Sequence, residues 1–484
     1  MDPVRIANSS NPTSLYVDLD GTLTSSDLLL ESLVLLLKRN LLFVLALPFW
    51  LFHGRANLKY QIARRVDLRA DLLPYNTQVL DYLNQQSRQG REIVLISASN
   101  ERLVKIVAGH LALFSRALGS SRHINLKGQV KLDAIEQDCK GGFDYLADHK
   151  ADLPVWQKAK GALVVSRHQS LIKLVANTAR LEKVFDKPPP TIDYFKAMRP
   201  HQWLKNTLVL LPLALSHEIL NATLLLQAVL AFVSFSLCAS SVYLLNDMLD
   251  LPHDRQHPTK RQRPFASGKI SLMFGLIASP LLLILSFALA ALLPVEFIAV
   301  LATYYLATCL YNFYLKAQVL VDVLTLASLY TLRIIAGAAA ISVIPTFWLL
   351  AFSMFLFLSL AVVKRYTELD LINTITDSRQ QAQGRGYIAG DLQLLLVLGV
   401  TSGLMAVLVF ALYINSDDIQ MLYGTPQVLW FICPLLLYMV GRIWILTHRG
   451  EMHEDPVIYA ITDRRSQFVV LLCAVLVWAA TTAW

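Results

Sequence analysis

The chain has 484 residues, 55% of them hydrophobic and only 16% charged. Soluble globular chains carry roughly 25% charged residues, so the composition excludes a disordered chain, a disulfide-stapled miniprotein and an ordinary soluble enzyme. The net charge of +8 is basic, but many cations sit beside apolar spans, as the positive-inside rule expects, and no nucleic-acid partner is expected.

Residues 1–14 are polar, carry Asp2 and two prolines, and have no apolar h-region, so no cleavable signal peptide is expected. Leu15-Tyr16-Val17 and Ile93-Val94-Leu95-Ile96 read as buried strands, with amphipathic helices over 76–88 and 101–113 between turn signals. That alternation predicts an α/β domain with a parallel sheet. We place it at 1–175, with an apolar insert near 25–75. Within the insert, residues 41–52 (LLFVLALPFWLF) follow Lys38-Arg39. They are too few to span a bilayer and are read as a membrane-dipping or interfacial insert, the alternative being a buried helical hairpin. A linker is expected over 176–200, stiffened by Pro188-Pro189-Pro190.

From 201 to 484 apolar runs repeat. A bilayer core of ~30 Å needs about 20 helical residues, and nine candidate spans follow: roughly 206–219, 222–245, 270–293, 295–314, 319–341, 346–363, 391–413, 427–447 and 467–484. The connections near 216–222, 293–296, 341–346 and 414–427 contain no Lys or Arg. The alternate ones hold Arg255, Lys260, Arg261, Arg263, Lys269, Lys316, Lys364, Arg365, Arg379, Arg385, Arg449, Arg464 and Arg465. The basic side is expected to be cytoplasmic. The α/β domain then lies in the cytoplasm, the C-terminus on the far side, and the span count is odd. Of the five cysteines, Cys139, Cys238, Cys309, Cys433 and Cys473, none forms a CxxC pair and four lie in apolar stretches. They read as small core or lipid-facing residues, with no disulfide framework or zinc site.

Two segments carry chemistry. The first is Asp18-Leu19-Asp20-Gly21-Thr22-Leu23-Thr24, after the first strand. Two carboxylates one residue apart at a strand end can divide the work: one attacks phosphorus, the other protonates the leaving oxygen. Gly21 lets the backbone turn closely around an anion. Ser97 ends the strand IVLIS, where it can hydrogen-bond a phosphoryl oxygen. Lys127 or Lys131 can neutralise it, and Asp148 and Asp152, after FDYLA, can hold Mg²⁺. These motifs resemble the haloacid dehalogenase superfamily of aspartyl-phosphate phosphatases over about 170 residues. The resemblance implies Asp18 as nucleophile, Asp20 as acid/base, Ser97 as the second-motif hydroxyl and Lys131 as the third-motif lysine. It also implies Asp148 as magnesium ligand supported by Asp152, with Asp18 and Asp20 beside the same metal, and the 25–75 insert as a helical cap. Ala147 stands where that family often has Gly.

The second segment is Asn246-Asp247-Met248-Leu249-Asp250-Leu251-Pro252-His253-Asp254-Arg255, at the cytoplasmic end of the second span. Asp247, Asp250 and Asp254 stand at i, i+3 and i+7 and share one helical face, although Pro252 disturbs the last turn. Three carboxylates together repel unless a cation sits among them, so the pattern points to Mg²⁺ with a diphosphate substrate. Lys260 and Arg263, in His257-Pro258-Thr259-Lys260-Arg261-Gln262-Arg263-Pro264, supply cations for phosphate oxygens. His253 and His257 read as loop residues. His217-Glu218 is no zinc motif, because position 221 is Asn.

NDxxDxxxDR with KRxRP after it, on nine expected spans, resembles the UbiA superfamily of intramembrane prenyltransferases over about 285 residues. Familiar members join a prenyl diphosphate to an aromatic acceptor and carry a second aspartate-rich motif after a later span. Here Tyr311-Asn312-Phe313-Tyr314-Leu315-Lys316 through Asp322 and Arg333 offers a single Asp. MRPHQWLKN (198–206), YNFYLK with Asp322 and Arg333, and Lys364-Arg365-Tyr366-Thr367-Glu368-Leu369 resemble instead the decaprenyl-phosphate phosphoribosyltransferase branch. That branch moves phosphoribose from phosphoribosyl pyrophosphate to a polyprenyl phosphate and releases pyrophosphate. The resemblance implies Asp247, Asp250 and Asp254 as Mg²⁺-binding catalytic residues. For substrate and phosphate it implies Lys205, Asn246, Arg255, Lys260, Arg263, Lys316, Asp322, Arg333, Lys364 and Arg365, with Tyr366 and Glu368 further candidates.

The expected protein is therefore a bacterial inner-membrane transferase whose tethered phosphatase removes the 5-phosphate from the transferred sugar. Its rivals are an aromatic prenyltransferase, a hydrolase merely anchored by its membrane half, and a non-catalytic lipid-binding scaffold. The charged loops 449–465 and 376–391, the latter with Arg385 and Tyr387, are read either as closures over the site or as plain connectors.

Overall fold

The computed structural model of the protein describes residues 13–139, 141–187, 191–216, 218–375, 386–416, 419, 423–452 and 455–481. Pro188-Pro189-Pro190, His217, Arg379, Arg385, His453 and Glu454 therefore lie outside the described residues. The chain divides into two units, Met1–Ala197 with Leu244–Ile277, and Met198–Tyr243 with Ala278–Trp484.

The first unit is built on a six-stranded, all-parallel sheet. Its strands are β1 (Ser14–Val17), β2 (Ile93–Asn100), β3 (Arg116–Ser120), β4 (Phe143–Ala147), β5 (Gly161–Val165) and β6 (Leu181–Phe185), in the order β3-β2-β1-β4-β5-β6. Leu15, Tyr16 and Val17 are fully buried, as a central parallel strand covered on both faces must be. The order reverses at β1, and ligands of such sheets bind beyond the strand C-termini at that switch point.

The helices of this unit are α1 (Leu28–Arg39), α2 (Phe43–Phe52), α3 (Arg55–Ala63), α4 (Thr77–Arg88), α5 (Glu101–Leu111), α6 (Gln129–Asp138), α7 (Leu153–Lys158), α8 (Gln169–Thr178) and α9 (Thr191–Ala197). Asp27 caps α1 by accepting from the amides of Leu29 and Leu30, and Lys38 and Arg39 close its last turn, both matching the helix dipole. α8 and β6 correct the expected linker: the domain continues through Phe185 and does not stop at 175. The expected cap is the trio α1–α3. Its middle helix turns Trp50 inward onto Leu36, Ile62 and Val66, and leaves Leu42, Leu45, Phe49 and Phe52 exposed. That exposure is the opposite of a buried hairpin.

The second unit is helical, and two of its helices run on into the first. It contains α10 (Leu211–Leu215), most of α11 (Ala222–Leu249), then, after α12 (Leu251–Gln256) of the first unit, most of α13 (Leu272–Ala290). There follow α14 (Val295–Phe313), α15 (Val321–Ala340), α16 (Phe347–Ile375), α17 (Leu392–Ile414), α18 (Ile432–His448), α19 (Pro456–Thr462) and α20 (Arg464–Thr481). Among the described residues eight spans are long and apolar enough to cross a membrane, those of α11, α13 to α18 and α20. The nine expected are corrected at the first. Among the described residues of 206–219 there is no long helix, because Pro200–Leu210 is a 3-10 helix that passes into the short α10. Eleven residues at the 3-10 rise cover about 22 Å, and five α-helical residues add about 7 Å.

Small residues let these helices approach, as packing in lipid requires. A Cβ on Gly337 of α15 would collide with the carbonyl of Val209, and one on Gly399 of α17 with the Trp444 ring. Serine pairs tie α11 to α13: Ser234 and Ser241 donate to the carbonyls of Ser286 (2.9 Å) and Ser279 (2.7 Å). Trp203 Nε1 donates to Ser240 Oγ at 2.9 Å and Asn206 to Ser236 Oγ at 3.0 Å, fixing the 3-10 segment on α11.

Candidate functional site

At the C-terminal ends of β1, β2 and β4 the six predicted residues of the DxDGT domain come together. The backbone amide of Asp18 donates to the carbonyl of Leu146 (2.8 Å), so the turn after β1 is laced to β4. Gly21 has φ +77°, and a Cβ there would collide with the Asp148 carboxylate. Only glycine accommodates both demands. Lys131, 2% exposed, bridges Asp18 Oδ1 (3.1 Å) and Asp152 Oδ1 (2.9 Å) and also donates to Tyr145 Oη (2.9 Å). Lys127 is exposed. Asp20 accepts from Ser97 Oγ (3.0 Å), Ser99 Oγ (2.6 Å) and the amide of Leu28 (2.8 Å). Sequence reasoning missed Ser99, and also Lys187, whose ammonium sits 3.0 Å from Asp148 Oδ2 and donates to the Gly21 carbonyl. Lys187 lies in what was read as linker.

Burial pushes the Asp18 carboxyl up to about 8 against the pull of Lys131, with Asp152, Asp20 and Asp148 adding repulsion. Burial raises Asp20 and Asp148 too, and Lys187 offsets part of the rise at Asp148. Burial opposes the charge on Lys131, but Asp18 and Asp152 hold its ammonium above the usual range. Buried oxygens that repel one another are a donor set suited to a hard dication.

The second acidic motif also lies in the first unit. α11 ends at Leu249, Asp250 stands at the junction, and α12 follows with Pro252 in its first turn. The ladder survives the proline: Asp250 N donates to Asn246 O and Asp254 N to Asp250 O, both at 2.9 Å. The side chains nevertheless divide: Asp247 and Asp254 meet one cation of the chain and Asp250 another. Asp247 and Asp254, 2% and 4% exposed, converge on Arg263 Nη1 at 3.3 and 2.7 Å. Burial raises the Asp254 carboxyl, Arg263 opposes this, and Asp247 adds to it. Asp250 pairs with Lys38 of α1 at 3.2 Å. Arg255 turns away from the acidic face onto Glu31. Asn246 and Lys260 are half-buried beside these aspartates in the chain, and Lys260 lowers the Asp254 carboxyl. Among the described residues no three His, Cys, Asp or Glu side chains form a ready-made metal cage. Carboxylates that each already hold a cation of the chain nevertheless fit a few-carboxylate Mg²⁺ site completed by substrate phosphates.

In the second unit Lys205 and Lys364 converge on Asp455, at 2.5 and 3.3 Å, and Lys205 also lies over the Tyr330 ring. Asp455 belongs to the charged loop that the sequence left open between closure and connector. Burial works against its carboxylate, but the two lysines hold it below the usual range. Arg333 donates to Asn206 Oδ1 (3.0 Å), Leu329 O (2.6 Å) and Tyr304 Oη (3.1 Å), inside a cage of Phe235, Tyr304 and Tyr330. Asp322, fully buried, pairs with Arg365 Nε (2.7 Å) and accepts from Tyr387 Oη (2.5 Å), and Arg365 also pairs with Glu368. Tyr366 Oη lies 3.3 Å from His448 Nδ1, and Lys316 is half-buried in a 3-10 turn. The structure therefore gathers Lys205 with Lys364, and Asp322 with Arg365, as two groups. Removing one partner of a buried ion pair leaves the other uncompensated, at a cost of about 3–5 kcal/mol. Asp455→Ala is expected to lower the unfolding midpoint in detergent markedly, while Lys364→Ala, on the half-exposed partner, shifts it far less. Circular dichroism melts of both variants make the comparison.

A model of the UbiA prenyltransferase family matches residues 207–456, just over half of the chain. The chain belongs to the UbiA prenyltransferase family. With its apolar helices, this makes it an integral membrane protein and a UbiA-type transferase. It is 34% identical to an uncharacterized protein, y4nM, of Sinorhizobium fredii over 95% of this chain and 89% of that one. It is 34% identical to the nodulation protein NoeC of Azorhizobium caulinodans over 58% and 91%. A decaprenyl-phosphate phosphoribosyltransferase of Mycobacterium tuberculosis is 32% identical over 62% of this chain and 97% of its own length. The match to y4nM is long enough to take in both the α/β domain and the UbiA domain.

Proposed function

We propose that this UbiA-family protein moves 5-phosphoribose from phosphoribosyl pyrophosphate to a polyprenyl phosphate, and that its N-terminal domain, a haloacid dehalogenase-like phosphatase, then removes the 5-phosphate. One observation carries the choice of donor. Where aromatic prenyltransferases of the resemblance carry a second acidic motif, α15 offers one carboxylate, Asp322, already committed to Arg365 and Tyr387. The similarity to the phosphoribosyltransferase of M. tuberculosis, over nearly its whole length, supports the same choice.

The transfer is a displacement at the anomeric carbon. The bond to pyrophosphate breaks as an oxygen of the lipid phosphate forms the new one. That oxygen is already anionic, so no general base is required, and positioning with charge stabilisation supplies the catalysis. Asp247, Asp250 and Asp254 would hold a divalent cation, which would supply neutralising charge for the leaving pyrophosphate. Arg263 and Lys260 remain as the chain's own cations for phosphate oxygens, and Lys205 and Lys364 on Asp455 form a second cationic group. In the phosphatase, Asp18 attacks phosphorus while Asp20 protonates the departing 5-oxygen. Asp20 then takes a proton from the water that hydrolyses the aspartyl phosphate. Ser97 and Lys131 hold the phosphoryl oxygens, and Asp148 with Asp152 would hold a divalent cation that supplies further charge for them.

The basic loops support an orientation with the N-terminal domain on the cytoplasmic face of a bacterial inner membrane. Counting the 3-10 segment with α10 as a crossing restores the odd parity that this orientation needs. The exposed apolar face of α2 then rests at the bilayer surface. Protein in detergent with Mg²⁺, polyprenyl phosphate and labelled phosphoribosyl pyrophosphate is expected to place label in lipid. Absence of lipid label, with consumption of prenyl diphosphate by an aromatic acceptor, would make this an aromatic prenyltransferase instead.

A further inference from the structure

Helix α1 belongs to the phosphatase cap by sequence, yet it touches both acidic motifs, which share one unit of the fold. At its start the Leu28 amide donates to Asp20 Oδ1 at 2.8 Å. At its end Lys38 Nζ lies 3.2 Å from Asp250 Oδ1. Leu28 and Lys38 are ten residues apart on this helix, about 15 Å along its axis. Between them, Glu31 receives a bidentate fork from Arg255, Nη1 to Oε2 at 3.0 Å and Nη2 to Oε1 at 2.5 Å. Arg255 Nε donates to the carbonyl of Ala266 at 3.0 Å.

Glu31 and Lys38 are seven residues apart and share one face of α1. They meet Arg255 and Asp250 with complementary charges. A third contact comes from the backbone. Gly268 has φ +70°, and a Cβ there would lie 2.9 Å from Ser25 and 3.0 Å from Pro74, so this turn sits directly on the base of the cap. The two ion pairs differ in burial. The Glu31 and Arg255 side chains are 5% and 8% exposed, whereas Lys38 and Asp250 are 30% and 18% exposed. The first pair is a fixed joint, since breaking it would strand a buried charge. The second is reachable from solvent, and its ammonium can leave.

We propose that α1 is a working part of the transferase site. Glu31 is a positioning residue that fixes Arg255 and with it the turn carrying Asp250 and Asp254. Lys38 is a tethered counter-ion that holds Asp250 until the divalent cation and diphosphate of the donor displace it. The inference rests on the acidic loop being the transferase's diphosphate site. It gives Arg255 a role other than phosphate binding, because its Nη1–Nη2 fork is spent on Glu31 and its Nε on the Ala266 carbonyl.

Displacement makes a directional demand: removing Lys38 must tighten metal binding at the loop, a gain that misfolding cannot produce. The test uses full-length protein in detergent carrying Asp18→Asn and Asp148→Asn, which silence the other site. Mn²⁺ binding in the presence of pyrophosphate is followed by electron paramagnetic resonance. Lys38→Met is expected to tighten Mn²⁺ about 3- to 5-fold, the worth of one partly exposed ion pair, and Lys38→Arg to restore the original affinity. In otherwise unaltered protein, Glu31→Gln is expected to lower kcat for lipid labelling tenfold or more, with KM for the lipid phosphate unchanged. Unchanged or weakened Mn²⁺ binding in Lys38→Met overturns the counter-ion role, and unchanged kcat in Glu31→Gln overturns the positioning role. If unaltered protein labels no lipid, the phosphoribosyl reading fails, while the Mn²⁺ titration still decides the role of Lys38.

Discussion

Asp18→Asn is expected to leave the lipid product with its 5-phosphate intact while transfer continues at the original rate. Losing a covalent nucleophile costs on the order of 10⁶ in kcat where it has been measured, enough to make the retained phosphate quantitative by mass spectrometry of the lipid fraction. The substitution is nearly isosteric and leaves an oxygen for Lys131, so the fold around β1 and β4 is expected to persist. The expectation follows from how the site divides its two carboxylates. Asp18 faces the cation Lys131, whereas Asp20 is held by two serine hydroxyls and the Leu28 amide. The residue with fewer hydrogen bonds is the one open to phosphorus, and the residue fixed by donors is the one suited to relay a proton. Product that still lacks its 5-phosphate in Asp18→Asn would assign phosphate removal to another enzyme and reduce this domain to a scaffold. Asp20→Asn serves as the companion: it is expected to slow the same step without changing transfer.

What was legible in the sequence follows from which forces act locally. Buried parallel strands are continuous apolar runs, so Leu15-Tyr16-Val17 and Ile93–Ile96 could be read at once. Edge strand β6 could not: Leu181–Phe185 buries mainly Phe185 and exposes Glu182 and Lys183, which looks like a polar linker. The 3-10 segment Pro200–Leu210 was read partly as a span and partly as linker because hydropathy does not report helix rise. Acidic spacing was informative at Asp247 and Asp254, which converge on Arg263, and less so at Asp250, which pairs with Lys38 beyond the Pro252 turn. Cations were the harder problem. A lysine or arginine beside a motif can serve a ligand, a dipole or a distant carboxylate, and only the fold decides. Arg255 proves committed to Glu31, Arg333 to Asn206 and Tyr304, and Arg365 to Asp322. Their partners lie far away in sequence, so no spacing rule could have found them. Asp455 had a weak signal in its charged loop, and Glu31 and Lys38 had none, because in the sequence they are an ordinary charged face of a cap helix.

Asp247→Asn is expected to lower phosphoribosyl transfer to lipid by roughly 10²–10³, the usual cost of removing one preorganised charge-stabilising group from a transition state. The residue is 2% exposed and shares Arg263 with Asp254. Its loss removes one negative charge from the cation site and also lets Arg263 settle on Asp254 alone. Both effects weaken the hold on the leaving pyrophosphate, so raising Mg²⁺ is expected to recover part of the rate and never all of it. Hydrolysis of p-nitrophenyl phosphate, which depends on Asp18, is expected to be unchanged, because the substitution touches nothing on the sheet. Comparing the two activities in one preparation separates lost chemistry from lost fold. Equal transfer rates in Asp247→Asn and unaltered protein would remove the acidic motif from the reaction. A fall in both activities together would mean that the loop holds the first unit in shape, and that its aspartates serve the fold before they serve a substrate.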